Sequence, residues 1–339
     1  MQTIRNLQSL RAIGAIMIFA HHFGFGNYIV TSFGDCAVCW FMMLSGFISY
    51  GVWRCSPRHT GGSLLGETFR FLRKRITGLA PLYYTGLLLA LILGRFMYSK
   101  LSVVATAVMI QSWIPDRDVF FGPNAASWFV SSLLFCLVLF PTLRRVDDRR
   151  LVRILLLTLT VYISALYIIP EDKQLYWIYI FPPMQFPAFL IGMCLWLAVE
   201  KCRGMIHSAR SADTMAVLSW CLIILSMVGF CYIPYSIRLS SYWWVSTAFL
   251  IFSLTVTDAV PCLYTRIMHM PLFQRMGDAS MSFYLLHIPW ICGFRIILRH
   301  LGDYGIIGTL PRTVEFSVSI AILWCVSLTI HHLFYRNRR

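Results

Sequence analysis

Ten apolar segments, each close to the length of a membrane-crossing helix, divide this chain and leave it little choice of fold; they lie near residues 7–26, 36–53, 79–98, 125–141, 151–169, 183–200, 212–233, 242–260, 279–297 and 313–334. A hydrocarbon core of roughly 30 Å takes about 20 residues of helix, and lipid offers no partner to open backbone groups, so each segment must satisfy its own backbone as an α-helix. The expected fold class is therefore all-α integral membrane, one bundle of about ten transmembrane helices, with residues 1–339 forming a single domain. With 58% hydrophobic and only 13% charged residues, the chain also falls outside the composition of water-soluble globules. An eleventh stretch, "LSVVATAVMIQSW" at 101–113, is short for a crossing and reads as an interfacial or re-entrant helix. The first segment follows Arg5 as a secretion signal would, but paired histidines interrupt it and no small-residue cleavage pattern follows, so it reads as a retained helix.

Charge sets the orientation. With both termini cytoplasmic, 21 of the 29 Lys and Arg fall on the inside, among them Arg5, Arg11, the run "RFLRKR", "RRVDDRRLVR" and the tail "RNRR". Losing one span would reverse the asymmetry, so it independently favours an even number of crossings. The net charge of +15 is mostly this bias together with attraction to anionic lipid, and basic residues scattered over short loops do not suit nucleic-acid binding. The protein is expected in the plasma membrane (the inner membrane of an enveloped cell), as a multi-pass chain. The eleven cysteines lie mostly inside apolar segments; Cys36 and Cys39 in "DCAVCW" have neither a second pair nor matching histidines, so helix packing is the preferred reading and no metal site is expected.

Within "SLRAIGAIMIFAHHF", Arg11 and His22 stand eleven residues apart, three turns plus about 20° of helix, so they share one face with a rise of roughly 16 Å. An arginine at the cytoplasmic edge then puts His22 near mid-membrane, while His21 points about 80° away. A lone buried histidine often does no more than bond a neighbouring helix. One aligned with a cation and facing a cavity suits a general base, because imidazole takes and releases protons near neutral pH.

The motifs that follow resemble, in order and spacing, the membrane acyltransferase-3 family. Arg11 and His22 match its Arg-x10-His, and "VCWFMMLSGFISY" is similar to its "FFxLSGF" segment at Ser45, Gly46 and Phe47. "FRFLRKRITGLAPLYY" resembles the basic stretch leading into "PLY", and "PNAASWF" the Asn-x3-Trp segment, here Asn124 and Trp128. "FQRMGDASMSFYLLHIPW" is similar to the signature near the carboxyl end, with Ser282, Tyr284 and His287. The chain departs from the family at Gly78, where members commonly carry a second arginine, and in lacking a Glu after Trp128, which resembles members acting on capsular or exopolysaccharide-type acceptors. With no esterase-like domain after the last helix, it resembles the stand-alone type.

That resemblance implies an O-acyltransferase moving an acyl group, with acetyl expected, from acyl-CoA to a hydroxyl of a cell-surface polysaccharide or its lipid-linked precursor. Acetyl-CoA is the expected co-substrate, and the expected partners are a glycan or glycolipid acceptor and the bilayer; a homo-oligomer is compatible with this reading. The phosphates of the coenzyme need cations at the cytoplasmic mouth, where Arg73, Lys74 and Arg75 are expected, although topology signalling alone would also account for them. His22 is the expected base, with Arg11 along the donor path. Asn124 and Trp128 are candidates for the acceptor entrance. His287 either binds at the site or closes helix packing, and Ser45 beside Gly46 suits a close helix contact better than a nucleophile. Asp278 in "GDAS" either orients a neighbouring base or caps the ninth helix, and the cap is the preferred reading. A transporter or flippase for an amphiphile would use the same intramembrane polar residues, but the segments show no internal repeat of the kind many transporters carry.

Overall fold

The computed structural model describes residues 3–24, 28–56, 63–95, 97–202, 204–233, 241–305, 308 and 310–335. Arg58, Arg203, Arg238 and the tail arginines Arg336, Arg338 and Arg339, which contribute to the charge asymmetry, lie outside them, as does the end of the first apolar segment at 25–26. Among the described residues all regular structure is helical. Ten longer helices correspond to the ten apolar segments: α1 (Arg5–Phe23), α2 (Tyr28–Cys55), α3 (Leu64–Leu93), α4 (Trp128–Leu143), α5 (Asp148–Ile168), α6 (Pro182–Cys202), α7 (Ala209–Gly229), α8 (Trp244–Val256), α9 (Pro271–Asp303) and α10 (Arg312–Tyr335). Eight of them are long and apolar enough to cross a membrane by length and composition; the other two are α1, with its polar interruptions, and the shorter α8. The protein is an all-α integral membrane protein.

Side-chain contacts give the relative directions. Gln8 meets Asp278, Phe19 meets Phe283 and Phe23 meets Arg295, so α1 and α9 run parallel. Gly46 meets Phe189, Phe47 packs on Trp196 and Arg54 bonds Glu200, so α2 and α6 also run parallel. Trp290 bonds Ser319 and Phe283 stacks on Trp324, which makes α9 and α10 antiparallel. First with ninth, second with sixth and ninth against tenth are the directions that ten alternating crossings require. They also require that nothing between α3 and α4 crosses. There the chain forms a short helix, Lys100–Ala107, and single turns at Gln111–Trp113 and Arg117–Phe120, all too short to span.

Burial separates the core of the bundle from its periphery. The most apolar windows of Ser32–Cys55, Ala125–Leu143 and Pro182–Cys202 are 72%, 67% and 61% buried, against 17% for Asp148–Ile168 and 22% for Ala209–Tyr232 and Arg312–Phe334. The centre is thus α2, α4 and α6, with α1 and α9 packed beside them, while α5, α7 and α10 turn most of their apolar surface outward, as lipid-facing helices do. The amino end of α1 begins at Ile4, which provides no capping side chain. Asp258, after α8, does so from a distance: its carboxylate accepts from the main-chain N–H of Asn6 (2.7 Å) and Arg5 (3.3 Å) and lies 3.2 Å from His269 Nε2. The helix that carries Arg11 and His22 is thereby fixed at its start.

Candidate active site

A small, narrow slot lies between helices α1, α2, α4 and α9. Arg11 and Ile18 line it from α1, Val38 and Phe41 from α2, Phe129 from α4 and Tyr284 from α9. Arg11 to Ile18 is seven residues, so the slot follows α1 for about 10 Å from the guanidinium toward the histidine turn.

At that turn two imidazoles meet. His22 Nδ1 lies 3.0 Å from the Ile18 carbonyl and 3.2 Å from Nε2 of His287. His287 Nδ1 in turn faces the carbonyl of Tyr284. These contacts decide the tautomers. A carbonyl only accepts, so Nδ1 of His287 carries its proton and donates to Tyr284, leaving Nε2 of a neutral ring as an acceptor. His22 Nδ1–H then donates toward Ile18 O and His287 Nε2, and the lone pair of His22 is on Nε2. His287 is fully buried while His22 is half-buried, so the ring with the available lone pair is also the accessible one. His21 sits edge-on to His22, with ring centroids 4.8 Å apart, and lies against α2 at Gly34, where a Cβ would stand 2.7 Å from its ring.

The histidine turn is held from outside. Gly24, with φ of 66°, ends α1 in the left-handed conformation that glycine adopts without steric cost, and its N–H bonds the carbonyls of Ala20 and His21. Arg295 on α9 and Arg312 on α10 both donate to the Phe23 carbonyl, at 2.8 and 2.9 Å, and both guanidiniums lie over the Phe23 ring. Two cations on the negative end of α1 satisfy carbonyls that would otherwise be orphaned, and they fix His22 against the helix that carries His287.

At the other end of the slot Arg11 donates to Gln8 Oε1 (3.3 Å), and Gln8 donates to Asp278 Oδ1 (2.6 Å). Asp278 and Arg75 both lie within electrostatic reach of Arg11. Asp278 is thus no helix cap: α9 starts seven residues earlier at Pro271, and the carboxylate faces the Arg11 end of the slot from inside the helix. Of the three cations on α3, Arg75 is the one that reaches the bundle, 3.4 Å from Ser49 Oγ on α2 and over the Phe71 ring. Successive residues of a helix turn by about 100°, so three in a row cannot share a face; all three are exposed, and Arg75 alone of them has a side-chain contact with α2 among the described hydrogen bonds. Nearby, Arg144 and Arg145 pair with Glu67, and Arg54 with Glu200 and Asp148. Among the described residues no carboxylate pairs with Arg73, Lys74 or Arg75.

The remaining sequence candidates surround the site as packing elements. Asn124 is buried and donates to the Leu285 carbonyl at 2.9 Å, while its Oδ1 is buried without a hydrogen bond. Trp128 is buried against Tyr179, centroids 4.9 Å apart. The Ser45 hydroxyl donates to Phe41 O of its own helix at 2.6 Å, and the neighbouring Gly46 abuts the backbone of α6. The Tyr284 hydroxyl donates to Ala126 O at 2.6 Å. Sequence reasoning missed the His22–His287 contact and the link from Arg11 through Gln8 to Asp278. Neither had a local signal, since both join residues about 270 positions apart.

The chain belongs to the acyltransferase domain family, whose model matches residues 4–332. It is also similar to the acyltransferase MdmB of Streptomyces mycarofaciens, with 24% identity over 339 residues, 88% of this chain and 81% of that relative. No solved structure matches it. The protein is a multi-pass membrane acyltransferase.

Proposed function

We propose that the protein is an O-acetyltransferase of the plasma membrane that takes acetyl from cytoplasmic acetyl-CoA and transfers it to a hydroxyl of a cell-surface polysaccharide or its lipid-linked precursor. The observation that carries this reading is the contact of His22 with His287, one turn of α1 beyond Ile18, which lines the same pocket as Arg11. The α3 cations Arg73, Lys74 and Arg75, which pair with no carboxylate among the described residues, suit the nucleotide phosphates of the donor.

The chemistry then follows from the tautomers. His22 Nε2 takes the proton of the acceptor hydroxyl as its oxygen attacks the thioester carbonyl. The tetrahedral intermediate collapses by breaking the carbon–sulfur bond, and the imidazolium returns the proton to the leaving sulfur, giving the ester and free coenzyme thiol. His287 Nε2, accepting from His22 Nδ1–H, holds the ring and stabilises the imidazolium while it lasts. Arg11 sits where it can hold the donor against the slot, with Gln8 and Asp278 fixing its position. No repeat in the ten spans favours transport, and membership of an acyltransferase family gives transfer precedence.

The test is label transfer from radiolabelled acetyl-CoA to glycan acceptors by purified protein; movement of substrate without acetylation would sink the proposal. Within it the cations separate. Arg75→Ala is expected to raise KM for acetyl-CoA about tenfold or more through loss of a charge-assisted contact, whereas Lys74→Ala, exposed and screened, changes it less than about threefold. Equal effects of the two would remove Arg75 from the donor path.

A further inference from the structure

The two arginines that hold the histidine turn bring more charge than that task needs. Arg295 and Arg312 donate from Nη2 to one oxygen, the Phe23 carbonyl, at 2.8 and 2.9 Å, so the two nitrogens are no more than 5.7 Å apart. Arg312 Nη2 also reaches the Gly24 carbonyl at 3.3 Å. A neutral donor would satisfy these carbonyls equally well, and the carboxyl end of a helix offsets only about half of one charge. Among the described residues no carboxylate pairs with either arginine, although Glu315 lies one turn along α10 and Asp303 two turns along α9. A guanidinium carries five N–H donors, so most of those on this pair have no partner among the described residues.

Membrane orientation does not ask for them either. Helix α1 ends and α10 begins here, so the pair stands at a membrane boundary, at the end of α1 away from Arg5. The charge asymmetry makes this the outer face, where Lys and Arg are the minority. Both side chains are exposed, and α10 turns most of its apolar surface outward, so an amphiphile lying along α10 meets Arg312 at the level of its head group. The pair is also held in place. Both guanidiniums lie over the Phe23 ring, which packs on Phe316 of α10 with centroids 5.6 Å apart. Two fixed guanidiniums without a counterion suit a phosphate, whose oxygens accept several charge-assisted hydrogen bonds at once. His22 is the residue before Phe23 and is half-buried, and His287 lies two turns, about 12 Å, before Arg295 on α9.

We propose that Arg295 and Arg312 bind the phosphate of a lipid-linked sugar, and that the acceptor is therefore a membrane-borne phosphoryl glycolipid rather than a free polysaccharide. Its phosphate rests on the two guanidiniums and its chain runs along α10, which leaves the sugar on the side of His22. A glycolipid without the phosphate lacks this anchor. The inference rests on the reading of the protein as an acetyltransferase with a lipid-linked acceptor.

The experiment measures binding of radiolabelled farnesyl phosphoryl glucose to purified full-length protein in a non-ionic detergent, without acetyl-CoA. Farnesyl glucoside, which lacks the phosphate, and phosphatidylglycerol, which lacks the sugar, are each expected to displace the probe at least about tenfold less well than unlabelled probe does. Arg312→Gln keeps an N–H for the Phe23 carbonyl and removes the charge; it should weaken binding about tenfold or more, whereas Arg312→Lys, which keeps the charge, should weaken it only about threefold. Arg295→Gln should match Arg312→Gln and carries the test if the Arg312 variants do not fold. With radiolabelled acetyl-CoA present, the wild type should use farnesyl phosphoryl glucose at least about thirtyfold better in kcat/KM than farnesyl glucoside, and Arg312→Gln should shrink that preference to about threefold with KM for acetyl-CoA within about twofold. Unchanged binding in a folded glutamine variant, or equal use of the two glycolipids by the wild type, overturns the proposal. Equal displacement by phosphatidylglycerol overturns it too, since the pair would then be a site for ordinary lipid head groups. Arginine-dependent binding without acetylation of either probe sustains the phosphate site and counts against acetyl transfer to such acceptors.

Discussion

Replacing His22 with alanine is expected to lower acetyl transfer by about a hundred- to ten-thousandfold, the range spanned by positioned general bases, with KM for acetyl-CoA nearly unchanged. The hydrogen bonds of the histidine pair explain why the effect should fall on the chemical step. His22 Nδ1 is committed to Ile18 and His287, so removal of the ring takes away the Nε2 lone pair and little of the slot wall. His287→Ala should have a smaller effect of the same kind, about ten- to a hundredfold in kcat, because it deletes the acceptor that supports the imidazolium, a hydrogen bond to a charged group. The double variant should be little worse than His22→Ala alone, since His287 acts only through the ring that is already gone. Single-turnover label transfer reads all three. A His22→Ala protein within about threefold of wild type would show that another group takes the proton. Additive losses in the double variant would show that His287 has a role independent of His22.

The sequence makes the outline legible because membrane burial is written in local composition: each apolar segment had to be a helix, and each helix appears. The stretch at 101–113 forms only a helix of eight residues and a single turn, too short to span, as its length in the sequence already required. The alignment of Arg11 with His22 needs only helix arithmetic. What sequence could not supply is which helices touch. His287 was weighed between site and packing, and only the parallel packing of α1 and α9 brings its ring to His22. Asp278 was misread as a cap because helix boundaries are set by where the chain turns, and α9 runs past the glycine-aspartate pair from a proline start. Arg73, Lys74 and Arg75 look equivalent in a run of letters, whereas a helix sends them in three directions.

The second large effect concerns the contact between α2 and α6. Helices α2 and α6 approach so closely that a Cβ on Gly46 would stand 2.0 Å from the Phe189 carbonyl oxygen, and one on Gly192 would stand 2.0 Å from that of Met43. Each glycine thus faces the carbonyl three residues before the other, as parallel helices with Cβ atoms tilted toward their amino ends dictate. In lipid the hydrophobic effect does not drive helices together, so this backbone proximity is itself the source of adhesion. Gly46→Ala or Gly192→Ala must push backbone apart, since no side chain can yield, and each is expected to cost about 3 kcal/mol or more, the upper end for an overpacked core. Gly78→Ala is the contrast: the same change on α3, where no atom of another element lies within 4 Å of the new Cβ, should be neutral or stabilising by up to about 1 kcal/mol. Thermal stability in detergent, followed by the monodisperse fraction after heating, separates the two classes. The double variant Gly46→Ala/Gly192→Ala should cost less than the sum of the singles, because one separation of α2 from α6 relieves both clashes.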